Sequence, residues 1–162
     1  MEEQLLQPAK KTSIKIDQAI LILSSLLILM WVFTIGSKLM TFTKFQMQLL
    51  AQPLPLWLNK MLVYVLIPVE LLNVPLLYFT KTRIYGFSLS LLMMLSFTVY
   101  IAWMLVFHEN LPCACGGPIP KWGWDKHLLF NIFFTLLSAT GLWLTKTNRC
   151  EAIQLRSRLT NK

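Results

Sequence analysis

The stretch Ile84–Phe107, IYGFSLSLLMMLSFTVYIAWMLVF, contains no charged residue. A helix rises about 1.5 Å per residue and the hydrocarbon core of a bilayer is about 30 Å thick, so about 20 apolar residues span it. The composition of the whole chain agrees, since 56% of its 162 residues are hydrophobic and only 14% are charged. The stretch therefore predicts a transmembrane helix in a one-domain membrane protein.

Three further apolar blocks predict helices over about 16–37, 56–79 and 127–144. The first block is longer than a signal-peptide core and no small-residue cleavage pattern follows it, so we interpret it as a retained helix. The last block is only just long enough to span the hydrocarbon core of a bilayer. We predict an all-α integral membrane protein: a four-transmembrane-helix bundle within a domain covering residues 16–145.

A shorter amphipathic segment separates the first two predicted spans. Phe42, Phe45, Leu49 and Leu50 recur at helical spacing, with Lys and Gln residues between them. This pattern predicts an interfacial helix that ends before Pro53 and lies in the extracytoplasmic headgroup layer. An apolar connector without a helix is the alternative.

The distribution of basic residues predicts the orientation. Ten of the 15 Lys and Arg residues lie before the first span, between the second and third, or after the fourth. Because cytoplasmic loops are enriched in Lys and Arg, we expect both tails, 1–15 and 146–162, in the cytoplasm of a bacterial inner-membrane protein. The first tail should be loose, and 149–162 could form a basic helix on the inner leaflet. The net charge of +8 thus indicates a lipid bilayer and no nucleic acid as partner.

A cysteine pair lies in the loop HENLPCACGGPIPKWGWDKH, residues 108–127. The prolines and glycines around Cys113 and Cys115 exclude a continuous helix, so the pair lies on a constrained turn. A disulfide between residues i and i+2 would be strained and easily reduced, which is typical of an oxidant. The predicted orientation places this loop outside the cytoplasm, where disulfides persist, and leaves Cys150 as a free thiol inside. We therefore predict a redox pair.

Two other interpretations of the loop remain open. His108, Cys113, Cys115 and His127 could hold a metal, although zinc sites more often separate paired cysteines by about two to four residues. Copper would also accept thiolate and imidazole ligands. The cysteines could instead form an inert structural disulfide.

Glu70 lies inside the second predicted span, where an ionised carboxylate costs several kcal/mol unless it is paired or protonated. Counting from the helix ends places it level with Ser24, Ser25 and Ser96, so we expect hydroxyl partners. A protonatable group in a quinone or substrate cavity is one interpretation. A neutral glutamic acid that holds the bundle together is the other.

Further polar residues favour a cavity. Asn73 follows Glu70 on the same helix face, and nearby prolines should bend that helix. Asn131 and Lys38 should lie just below the cysteine loop, although interhelical bonding and snorkelling would also explain them. We name Glu70, Asn73, Asn131 and Lys38 as cavity candidates, with a membrane quinone as the candidate cofactor.

The chain resembles the MauE/DoxX family of redox-associated membrane proteins over about 17–145. The matching motifs are GSKL at the end of the first span, PVELL in the second, and PCACGG followed by W, H and FN leading into the fourth. By this resemblance, the lysine, the glutamate and the C-x-C pair of the family pattern correspond to Lys38, Glu70, Cys113 and Cys115. The resemblance implies a helper in extracytoplasmic disulfide formation, as in maturation of methylamine dehydrogenase. The methylamine branch tends to read C-x-C-F-G, where this chain has glycines.

The architecture is also similar to that of vitamin K epoxide reductase, a quinone-coupled disulfide generator, but this chain has no second outer cysteine pair. We expect a thiol–disulfide oxidoreductase that uses Cys113 and Cys115 on a thiol-containing or thioredoxin-like extracytoplasmic partner. The alternative is a non-enzymatic assembly or scaffold subunit with a fixed disulfide or a metal-holding loop.

Overall fold

The computed structural model describes the backbone of residues 2–107 and 124–160 and the side chains of residues 15–107 and 126–150. Helices account for every regular element in these residues. They are α1 (Glu2–Met40), α2 (Phe42–Leu50), α3 (Leu56–Tyr78), α4 (Arg83–Phe107) and α5 (Trp124–Thr160).

Four helices contain segments long and apolar enough to cross a membrane. These segments are Lys15–Met40, Leu56–Tyr78, Arg83–Phe107 and Lys126–Cys150. The protein is therefore an all-α, multi-pass membrane protein with four transmembrane helices, as the sequence predicts.

The first and last helices are longer than predicted. Residues 2–15, expected to form a loose tail, continue α1, and α5 continues past residue 144 to Thr160. Hydropathy ends a predicted span where charges begin, but Glu, Lys, Arg, Gln and Leu are good helix formers. Residues 145–160 contain no Gly or Pro, so nothing in their sequence ends the helix.

The four long helices pack as a ring in the order α1, α3, α4, α5. Each packs against its two neighbours, and α1 and α4 face each other across the bundle. The buried centre contains Leu27, Leu77, Phe87 and Met94. The outward faces carry apolar side chains such as Trp143, as expected for contact with lipid.

Two glycines allow close helix contacts. A Cβ at Gly86 would lie 2.7 Å from the backbone nitrogen of Leu77, and one at Gly141 would lie 2.2 Å from the Phe87 ring. The α3–α4 and α4–α5 contacts therefore depend on small residues, as is common between membrane helices.

Helix α2 confirms the predicted helix between the first two spans. Its Phe45 and Leu49 are buried against Val63 of α3. The connection to α3 is held by Asn59, whose side-chain nitrogen donates to the carbonyl oxygen of Gln52 at 3.1 Å.

Helices α1 and α3 are staggered along the bundle axis. Trp31 and Asn73 are level with each other, because the Trp31 Nε1 donates to the Asn73 side-chain oxygen at 2.8 Å in the amide orientation that satisfies both groups. Along α1, Met40 lies about 14 Å beyond this level, and along α3, Leu56 lies about 26 Å beyond it. Helix α3 thus extends about 12 Å further than α1, and α2 packs on the extension.

Contacts between distant segments define the two ends of the bundle. Asn148 Nδ2 donates to Asp17 Oδ1 at 2.6 Å, and Arg149 Nη2 donates to the carbonyl oxygen of Lys81 at 3.2 Å. The start of the α1 span, the α3–α4 turn and the end of the α5 span therefore lie together, at what we call the termini end. The opposite end, where Phe107 and Trp124 flank the cysteine loop, we call the 108–123 end.

Candidate functional site

A buried ion pair joins α1 to α3. The Nζ of Lys38 donates to Oε1 of Glu70, and the two side chains are only 2% and 0% exposed. The expectation of hydroxyl partners for Glu70 is wrong. Ser24 donates to a carbonyl oxygen of its own helix at 3.0 Å, Ser96 does the same at 2.8 Å, and Ser25 is exposed.

The stagger of the helices explains this difference. Counting residues from helix ends assumed that the end of α1 and the start of α3 lie at the same level, but α3 extends about 12 Å further toward the 108–123 end. Glu70 therefore lies opposite the last turns of α1. From there the long stem of Lys38 can reach the carboxylate by pointing back along its own helix.

An aromatic ring supports the cation. The Lys38 Nζ lies 5.8 Å from the centroid of the Phe45 ring on α2. At this distance the ring face attracts an ammonium group, and the attraction strengthens when water is excluded. Helix α2 thus stabilises the charge of the pair as well as covering α3.

A cavity lies beside the ion pair, between α1, α3, α4 and α5. Its polar lining consists of Thr34, Lys38, Glu70, His127 and Asn131. Apolar side chains complete the wall: Met30, Trp31, Met94, Phe97 and Phe130. The cavity is large enough for at least one water molecule.

Three of the four predicted cavity residues line this cavity together: Lys38, Glu70 and Asn131. His127, which the sequence placed only in the alternative metal set, lines it too and is 4% exposed. Asn131 lies one turn further along α5, and its Nδ2 donates to the carbonyl oxygen of His127 at 2.9 Å.

Asn73, the fourth candidate, is not among the residues that line the cavity and instead joins three helices. In its satisfied orientation its nitrogen donates to the Gly86 carbonyl oxygen at 2.9 Å, and its oxygen accepts from Trp31 and from the Ser90 hydroxyl at 2.6 Å. Trp31 Nε1 also lies 3.0 Å from Ser90 Oγ. This network links α1, α3 and α4, and Trp31 connects it to the cavity wall.

Sequence reasoning missed Trp31 and Thr34. Both lie on the same face of α1 as Lys38, since residues three, four and seven apart share a helix face. The position of Lys38 could therefore have identified them.

The predicted redox pair, Cys113 and Cys115, and His108 of the alternative metal set lie outside the described residues. Within the residues that the structure describes, no group of three or more His, Cys, Asp or Glu side chains could hold a metal ion. Cys150 is a free, exposed cysteine, as predicted.

Comparison with protein families gives a match over most of the chain. The family model described as methylamine utilisation protein MauE matches residues 16–144. The chain belongs to the MauE family. The match confirms the resemblance found in the sequence and includes all of the cavity residues and both loop cysteines. Neither a curated protein nor a solved structure matches the chain.

Proposed function

We propose that the protein catalyses extracytoplasmic thiol–disulfide exchange in methylamine utilisation, with Cys113 and Cys115 as the redox pair. Membership of the MauE family supports the biological setting. The main support is the position of the C-x-C pair in the loop between α4 and α5. This loop precedes the helix that supplies His127 and Asn131 to the cavity.

The charge distribution supports the orientation that this function needs. The termini end gathers Lys15, Lys81, Arg83, Lys146 and Arg149. Because basic residues favour the cytoplasmic side, the termini end would face the cytoplasm and the 108–123 end would face outward. There a disulfide can persist.

The proposed reaction exchanges one disulfide for another. A thiolate of the partner protein attacks one sulfur of the Cys113–Cys115 disulfide, and the other sulfur leaves as a thiolate. The second thiol of the partner then resolves the mixed disulfide. The partner gains a disulfide, the cysteine pair gains the two electrons, and a membrane quinone would reoxidise the pair by taking up two electrons and two protons.

Trapping tests the exchange reaction. Cys113→Ser and Cys115→Ser variants are expressed in cells, thiols are alkylated rapidly, and disulfide-linked adducts are separated without reductant. At least one variant should accumulate a mixed disulfide that disappears on reduction. In the reverse exchange the remaining loop thiolate attacks the disulfide of an oxidised partner, and the second loop cysteine that would then release the partner is missing. Cys150→Ser is the matched control and should form none. If neither loop variant forms an adduct and the wild-type pair keeps one redox state under oxidant and reductant, exchange is the wrong function.

Labelling tests the orientation separately. A membrane-impermeant thiol reagent, applied to intact cells after mild reduction, should modify Cys113 and Cys115 but not Cys150. Labelling of Cys150 alone would show the reverse orientation. Metal that copurifies with the wild type and is lost from both loop variants would favour the metal-holding alternative.

A further inference from the structure

The carboxylate of Glu70 is only half satisfied. Lys38 occupies Oε1, but Oε2 has no hydrogen-bond partner although the side chain is fully buried. A buried carboxylate oxygen without a donor is costly, so native structures rarely contain one without a bound water or ion. Glu70 lines the cavity, which offers the space for such a donor.

The cavity brings few ionisable groups to this oxygen. Helix α1 contributes Lys38, and α5 contributes His127. From α4, the residues that face the cavity are Met94 and Phe97, which do not titrate. Among the described residues that line the cavity, His127 is therefore the one group besides the ion pair itself that can give or take a proton.

We propose that water in this cavity forms a hydrogen-bonded path from Oε2 of Glu70 to His127. Protons would move along this path between the buried ion pair and the 108–123 end. Water supplies the missing donor to the carboxylate, and a neutral imidazole can accept a proton from outside and donate one to water. His127 lies in the first turn of α5, directly after the cysteine loop. The path thus connects the interior of the bundle to the end where thiol chemistry is proposed.

The proton balance is simple. An incoming proton binds the imidazole, passes to the water as the water gives one of its own protons to Oε2, and leaves Glu70 neutral. Lys38 then remains as an unpaired ammonium group, held by the Phe45 ring. Departure of the proton by the same route restores the ion pair. The biological use of this exchange rests on the proposed function, but the exchange itself requires no cysteine.

Infrared spectroscopy can test the path. The full chain with Cys113→Ser and Cys115→Ser is placed in lipid nanodiscs, the buffer is rapidly acidified, and conversion of carboxylate to carboxyl absorption is followed in time. Subtraction of the same experiment on Glu70→Gln isolates the Glu70 signal. With His127 intact this signal should rise fast. His127→Phe should slow it by about tenfold or more, because the proton donor to the water is gone.

Two further variants make the result decisive. His127→Gln keeps a polar group of similar length that cannot take up a proton, so it should slow the Glu70 signal as His127→Phe does. His108→Phe, the same substitution at the other histidine, should leave the rate within about twofold. Unchanged kinetics in His127→Gln, or a Glu70 signal that never responds to pH, would overturn the proposal. Because the cysteines are absent, either outcome is independent of the trapping result.

Discussion

Removal of the Lys38 charge should strongly destabilise the bundle. Lys38→Met keeps most of the buried stem but deletes the ammonium group, so neither carboxylate oxygen of Glu70 retains a partner among the described side chains. Glu70 is fully buried, and lipid offers no hydrogen bonds. Breaking a buried pair on one side costs about 3–5 kcal/mol, and we expect a loss of that size.

A double-mutant cycle assigns this loss to the ion pair. Glu70→Leu alone leaves the Lys38 ammonium buried, whereas Lys38→Met with Glu70→Leu removes both charges. Replacing a whole buried pair by apolar residues is often neutral, so the double variant should lie within about 1–2 kcal/mol of wild type. Lys44→Met, at an exposed position on α2, is the matched control and should stay within about 0.5 kcal/mol.

Reversible unfolding in mixed micelles of a mild detergent and dodecyl sulfate measures all four variants by the loss of helical circular dichroism. The reasoning is refuted if Lys38→Met unfolds with the free energy of wild type. It is equally refuted if the double variant loses the sum of the two single losses, because the charges would then not interact.

Two further predictions concern helix packing and use the same unfolding assay. Gly86→Ala should cost about 1–3 kcal/mol, because the new Cβ meets the backbone of Leu77, which cannot move aside as a side chain can. Gly36→Ala has nothing within 4 Å of its Cβ and should be neutral or stabilising by up to about 1 kcal/mol, so equal losses in the two variants would contradict this packing. Asn73→Leu should cost about 1–3 kcal/mol by removing hydrogen bonds from Trp31 and to the α4 backbone, and an unchanged stability would show that the network contributes nothing.

The fold was largely predictable because membrane spans follow from local composition. Long, mainly apolar blocks identified all four transmembrane helices, and the spacing of Phe45 and Leu49 identified α2. Helix ends were harder to predict, because hydropathy changes at residues 15 and 145 although both helices continue there through segments that contain several good helix formers. The extent of α1 and α5 therefore exceeded the prediction.

The candidate site was predictable by residue but not by pairing. Glu70 was selected because an ionised carboxylate inside an apolar span is costly. Lys38 was selected by its position just below the cysteine loop. Their contact depends on how far α3 is displaced along α1. That displacement is set by packing between the helices of the bundle. It cannot be obtained by counting residues along either helix alone.

Because α3 is displaced along α1, the ion pair also fixes the axial position of α1 relative to α3. Apolar membrane helices can slide past one another at little cost, because lipid tails contact leucine side chains as well as another helix does. The contact between Lys38 and Glu70 removes this freedom, since a shift of α1 by one turn, about 5.4 Å, would separate the two charges inside the bilayer. After loss of the contact, by mutation or by protonation of Glu70, the axial position of α1 against α3 would therefore depend on side-chain packing and on the hydrogen bond from Trp31 to Asn73.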